Sequence, residues 1–209
     1  MGPFDRNDRL RWQAASLLAA APVAAFAAAE PALESSVAAS PASQQRYVEL
    51  LHQRVLAGRS ATATLEAWCA EHGLAEKARV RAVRVQGVQR DAPDEVRRAL
   101  QVDATTPLRY RRVQLACGQR VLSEADNWYV PALLTPAMNG VLDGSDEPFG
   151  RVVAPLGFQR QTLRDETYWP ARGEGTGATV LEIRALLRDS AQRPFSYVIE
   201  SYLQGALPH

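Results

Sequence analysis

The chain has 209 residues, a net charge of +1, 46% hydrophobic and 22% charged residues, which is ordinary soluble usage with enough apolar material for one full core. So balanced a charge argues against a general electrostatic attraction to nucleic acid or an acidic membrane. Cys69 and Cys117 allow at most one disulfide, and His52, His72 and His209 form no HExxH-type pair, so neither a disulfide framework nor a metal site is expected.

At the N-terminus, Arg6, Arg9 and Arg11 precede an apolar run from Ala14 to Ala29 that is short and alanine-rich for a bilayer span. Ala25-Phe-Ala ends it in a small-x-small pattern, and a Pro/Ser/Ala stretch follows to Ser43. The segment reads in two ways: as a secretory signal with a tether, or as a loose N-terminal helix. Residues 1–43 are therefore set apart from a folded domain over 44–209, and no stable membrane span is expected.

From Gln44 the pattern is globular. Tyr47, Leu50, Leu51 and Val55 recur at helical spacing up to Gly58. A short helix follows over Ala63 to Glu71, with Gly73 as its stop. Val83 and Val85 alternate with polar neighbours and predict a half-buried strand. Asp91-Ala-Pro-Asp-Glu opens a helix with proline and acids in its first turn, and Val96 and Leu100 on one face. Leu108–Ala116 and Val121–Val130 flank Cys117-Gly-Gln-Arg, a hairpin signal. Thr135-Pro136 caps a helix to about Leu142, and residues 143–150 read as a turn-rich loop. Strands are predicted over Phe158–Tyr168, Val180–Leu187 and Phe195–Leu203, with a loop from Pro170 to Ala178. Strand follows strand through short turns. The fold class is α+β: a mostly antiparallel sheet with helices packed at one side.

Three places carry chemistry. Arg111 shares strand parity with Val113 and Leu115, so it either snorkels to the rim or meets an anion in a cavity. Glu200 sits mid-strand between Ile199 and Ser201. It is either a buried general acid or base, or an outward glutamate paired with a surface arginine. Gly150-Arg151 follows Pro148-Phe149 in a tight loop, where glycine permits close approach of a ligand and arginine can clamp a carboxylate. Glu124, Asp126 and Asn127 read as a solvated polar cluster. The glycines at 173, 175 and 177 precede a strand rather than a helix, which excludes a dinucleotide loop.

These positions resemble the chorismate lyase family, whose members cut pyruvate from chorismate to leave 4-hydroxybenzoate. Tyr110-Arg-Arg-Val-Gln-Leu-Ala-Cys through Tyr129-Val-Pro resembles the family's central hairpin, with its carboxylate-binding arginine at Arg111. Glu147-Pro-Phe-Gly-Arg is similar to the family's Pro-Leu-Gly-Arg loop, with a ligand-contacting backbone position at Phe149. Ile199-Glu-Ser-Tyr-Leu is similar to the last strand, with the essential glutamate at Glu200. Ser60-Ala-Thr-Ala-Thr-Leu-Glu is similar to a helix start whose pocket-lining residue falls at Ala61. The resemblance spans about Val48 to Leu203. It implies a six-stranded antiparallel sheet, a closed pocket, no cofactor and a small carboxylate or aromatic ligand. Arg111 and Glu200 would be catalytic, with Arg111, Phe149, Gly150, Arg151 and Ala61 binding substrate. Two departures stand out: Asp126 replaces a glycine near the ligand, and Phe149 replaces leucine. The expected activity is a cofactor-independent lyase; the alternative is a non-catalytic binding module for a small aromatic or carboxylic acid on the same fold. A monomer is expected, cytoplasmic as a lyase and exported if the leader is a signal.

Overall fold

The computed structural model describes residues 40–208. The leader read from the sequence lies outside them.

Helix α1 (Pro41–Ala57) starts with Ser40 as its N-cap, so it takes in the last three residues of the stretch read as tether. It buries Val48, Leu51 and Val55, a stripe at helical spacing. Helix α2 (Ala61–Glu71) is capped by Ser60 and buries Leu65, Trp68 and Cys69. Then come strand β1 (Val80–Arg84), helix α3 (Asp94–Leu100), and strands β2 (Arg109–Cys117) and β3 (Arg120–Tyr129). The β2–β3 turn is Gly118-Gln119, with Gly118 at φ 58°, a backbone state that favours glycine. Helix α4 (Pro136–Gly144) is capped by Thr135, whose hydroxyl accepts from the Met138 N–H. A single turn, α5 (Phe149–Val152), leads to β4 (Gln159–Arg172), β5 (Thr179–Arg188) and β6 (Pro194–Leu203).

The six strands form one antiparallel sheet in the order β1-β2-β3-β6-β5-β4. Side chains alternate across it, so each strand has an inward and an outward set. Leu51, Trp68, Val80, Leu115, Ile183 and Tyr202 are among the residues of the core between the inward face and helices α1 and α2. Trp68 Nε1 donates to the Ala206 carbonyl at 2.8 Å, fixing the chain's last turn under the same helix. A disulfide joins Cys69 on α2 to Cys117 at the end of β2, 48 residues apart. Such a link typically stabilises by about 2–4 kcal/mol, chiefly by constraining the unfolded chain. The short α3 covers one end of the outward face, setting Val96 and Leu100 against Trp128, Leu186 and Tyr197. Among the described residues no helix is long and apolar enough to cross a membrane.

Three local expectations are corrected. In β1 the core residues are Val80 and Ala82, paired with Cys117 and Leu115, whereas Val83 is 40% exposed. The alternation read from Val83 and Val85 was one residue out of phase, because an edge strand offers an exposed valine as readily as a buried one. The stretch 143–150, read as a turn-rich loop, holds the end of α4 and the start of α5. Strand β4 continues through Pro170 to Arg172, where the sequence suggests a loop; an edge strand tolerates a proline that donates no hydrogen bond.

Candidate ligand-binding site

A cavity of about 60 Å³ lies between the inward face of the sheet and the starts of α2 and α5. That is several times the roughly 10–15 Å³ one water needs, and small for a bulky ligand. Val113, Leu115, Ala125, Leu187, Val198 and Phe158 supply apolar wall. Phe149 closes one side and packs on Tyr129 and Phe195, with ring centroids 5.2 and 6.3 Å apart. Alternation explains the lining, since Arg111, Val113 and Leu115 come from one strand, and Ser196, Val198 and Glu200 from another.

Arg111 is 5% exposed and sits at the cavity wall, so the rim alternative falls away. Among the described residues its guanidinium reaches no carboxylate. It donates only to the carbonyls of Glu147 and Ser145 at 3.3–3.4 Å, and its Nε has no partner among the described residues. Burial pushes its pKa down, and the nearby Arg84 cation adds to this. A buried cation held only by long bonds to neutral oxygens is a poor arrangement for an isolated fold. It is a good one for receiving an anion.

Glu200 is buried at 6% exposure, which removes the surface-pair alternative. Its partner is an arginine the sequence reading missed. Arg160 on β4 donates to Glu200 Oε2 at 2.5 Å, with both side chains at least nine-tenths buried. The Tyr202 hydroxyl donates to the same oxygen at 3.0 Å. Burial opposes the charge on Arg160, but attraction to Glu200 prevails and its pKa is raised. Tyr202, fully enclosed, is raised well above the ordinary phenol range by burial and by the negative charge beside it. Arg160 Nε, like that of Arg111, has no partner among the described residues. Asn127, opposite Arg111 on β3, and Ser196 also line the cavity, the serine hydroxyl donating to Asn127 Oδ1 at 2.7 Å.

Ala61, Phe149 and Gly150 all line the cavity, as Arg111 and Glu200 do. Gly150 packs closely on the start of α2: a Cβ there would lie 2.8 Å from Ser60 Oγ and 3.3 Å from Thr62 Oγ1. Arg151 is different. It pairs with Glu66 and, at 2.7 Å, with Glu147, fastening α5 to α2 outside the cavity. Arg151, expected as a ligand clamp, is absent from the lining of this cavity, and Glu66 and Glu147 occupy its fork. Glu147 serves twice, holding Arg151 with its side chain and Arg111 with its carbonyl. Asp126 points to the outward face, bonded to Tyr110 and Arg90, so it does not oppose an anion in the cavity. Its neighbour Asn127 faces inward, where the sequence suggests solvent. Arg160 was legible in principle, for it shares parity with Phe158 and Thr162 while Gln159 and Gln161 alternate out.

The described residues form an α+β domain in which helices roof an antiparallel sheet over a cavity that Arg111 lines. The chain is 40% identical over 177 residues to the uncharacterized protein y4mC of Sinorhizobium fredii (strain NBRC 101917 / NGR234), the match covering 77% of this chain and 75% of that protein. It belongs to the same family. No family model matches the chain. Among solved structures it is similar to the effector domain of PhnF from Mycobacterium smegmatis, with a TM-score of 0.48, 10% identity, and 69% and 88% of the two chains covered. It is also similar to YydK, a possible transcriptional regulator from Bacillus subtilis subsp. subtilis str. 168, with a TM-score of 0.43 and 16% identity. That match covers 59% of this chain and 58% of YydK, so the chain spans less than two thirds of that protein's length.

Proposed function

We propose that the domain is a receptor for a small carboxylic acid, preferably aromatic, which it binds without chemical change. The observation that carries this is Arg111: a buried guanidinium at an apolar cavity, with no carboxylate partner among the described residues. A ligand carboxylate would supply the missing counter-charge in a bidentate, charge-assisted pair. The surrounding aliphatic and phenyl side chains suit the flat face of a ring. Glu200 does not look poised for proton transfer, because Arg160 and Tyr202 both hold it as an acceptor.

The second reading, a chorismate lyase, draws on the gathering of Arg111, Glu200, Phe149 and Ala61 around one cavity, as the family resemblance implies. One titration and one assay separate the two. Calorimetric titration with 4-hydroxybenzoate should show saturable 1:1 binding, and Arg111→Met should lose it, at a cost of about 2–5 kcal/mol. Incubation with chorismate should release neither pyruvate nor 4-hydroxybenzoate above the blank. Turnover at enzymatic rates overturns the receptor reading in favour of the lyase; unchanged binding by Arg111→Met overturns the assignment of the cavity.

A further inference from the structure

We propose that ligand binding is conditional on the disulfide between Cys69 and Cys117: the oxidised chain binds, and reduction by a dithiol weakens binding reversibly. The inference rests on the receptor reading and adds its regulation.

Cys69 and Cys117 are the only cysteines of the chain; they are joined to each other and fully buried. Disulfides persist in oxidising compartments and are rare where thiol pools keep cysteines reduced, so this pairing suits a chain that meets its ligand outside such a pool. What the bond joins matters more. Cys69 lies on α2, whose first residues Ala61 and Thr62 line the cavity, and Cys117 ends β2, which brings Arg111, Val113 and Leu115 to the same space. One covalent link therefore ties the roof of the cavity to its floor. An isolated helix the length of α2 is marginal, so its position is set by such ties. Two others are hydrogen bonds, from Trp68 to the Ala206 carbonyl at 2.8 Å and from the Val80 N–H to Glu66 at 3.0 Å, and neither reaches β2. Reduction adds two electrons and two protons: the S–S bond breaks, both sulfurs become thiols, and the dithiol closes into its own disulfide. Thiol sulfurs no longer sit at a bonding distance of about 2 Å but at van der Waals contact, about 3.5–4 Å. In a close-packed core that separation must be taken up by movement of α2 against β2. Cys69 lies about 12 Å along the helix from Ala61, so a tilt about that end moves the cavity wall. A cavity of about 60 Å³ has little room to absorb it. Linkage runs both ways: if the oxidised form binds ligand tenfold more tightly, saturating ligand must lower the reduction midpoint by about 30 mV.

The test titrates 4-hydroxybenzoate calorimetrically into the full chain in three forms: oxidised, reduced with dithiothreitol, and Cys69→Ala/Cys117→Val, whose apolar pair fills the same space. Circular dichroism checks each fold. The oxidised form should bind at least tenfold more tightly than the other two. Reoxidation should restore the reduced form, and dithiothreitol should leave the variant's affinity unchanged. The midpoint in a dithiothreitol redox buffer should fall by about 30 mV or more with saturating ligand. Chain taken from its native cells and alkylated under denaturing conditions should carry no free thiol. Equal affinity in the oxidised and reduced chain, or in a folded variant, overturns the inference and leaves the receptor reading in place. So does loss of the native fold in both bond-free forms, which makes the bond a requirement of folding rather than of binding. Two free thiols in the native chain overturn it as well. If the oxidised chain does not bind the probe, the receptor reading itself fails, and the inference with it.

Discussion

Adjacent residues of β2 send one arginine to each face of the sheet, and the two meet opposite conditions. Outward, Arg112 lies 2.7 Å from Glu124 and 3.8 Å from Asp126, all three partly open to water. Inward, Arg111 is almost fully buried and touches only carbonyl oxygens. The outward face goes on in this way, Arg184 pairing with Glu95 at 3.0 Å and Glu182 at 3.5 Å. These charges are answered locally and cheaply. The inward face answers one cation with Glu200 and leaves the other unanswered. Folding alone accounts for the first face. The second leaves Arg111 without a counter-charge among the described residues, and that is why the cavity, rather than the more heavily charged exterior, is read as the site.

The comparison predicts that inward charges are worth much and outward ones little. The largest effect should come from Arg160→Met, which leaves Glu200 buried without its cation. The loss should be about 3–5 kcal/mol at neutral pH, measured by urea unfolding. Adding Glu200→Gln should recover most of it. Arg111→Met should have the opposite sign, because it removes a buried cation with no counter-charge, and stability should rise by about 1 kcal/mol or more. A fall of similar size would mean that Arg111 holds the fold together and would weaken its assignment to a ligand.

On the outward face Tyr110 donates to Asp126, and its pKa is pushed up to about 12 by burial and by that carboxylate. A group whose folded pKa lies above its unfolded value stabilises fully below the unfolded one, near pH 10 for tyrosine, and the contribution fades as pH rises through about 12. Tyr110→Phe should therefore cost about 0.5–1.5 kcal/mol near neutrality. The gap between variant and parent should close from pH 10 to 12. The buried Tyr202 titrates in both proteins and cancels. A gap that stays constant with pH would show that Tyr110 contributes packing alone.

How far the sequence reveals this contrast depends on periodicity. Helix α1 and strands β2, β3, β5 and β6 were legible because apolar residues recur at the period each element needs and turns bound them. Arg111 and Glu200 stood out because a charge interrupts an otherwise apolar parity set. Arg160 did not, since its strand lies at the edge of the sheet, where Leu163, Arg164, Asp165 and Glu166 are all exposed and blur the inward parity. The pairing of Arg151 was illegible for a different reason. A glycine-arginine turn suggests a ligand clamp, and only the fold reveals that Glu66 and Glu147 converge on the same guanidinium. Parity can be read from one strand, but a partner on a distant element cannot.

The smallest effect sharpens the comparison most, because it concerns the residue next to Arg111. Arg112→Met removes one cation from a partly exposed cluster in which Glu124 hydrogen-bonds it and raises its pKa. Exposed pairs of this kind contribute about 0.2–1 kcal/mol, since water already solvates both partners and ordering two side chains is costly. The remainder is sensitive to salt: at 1 M the screening length is about 3 Å, comparable to the pair itself. Arg112→Met should thus lose no more than about 1 kcal/mol in dilute buffer and less in 1 M NaCl, by urea unfolding at both salt levels. Its affinity for 4-hydroxybenzoate should match the parent's, because its side chain is on the far side of the sheet from the cavity. The Arg111→Met variant should show the reverse pattern, with stability kept or raised and binding lost. If instead Arg112→Met weakened binding as much as Arg111→Met does, the two faces would not be functionally distinct, and the ligand would have to be sought on the outward face, where Arg90, Arg112 and Tyr110 surround Asp126.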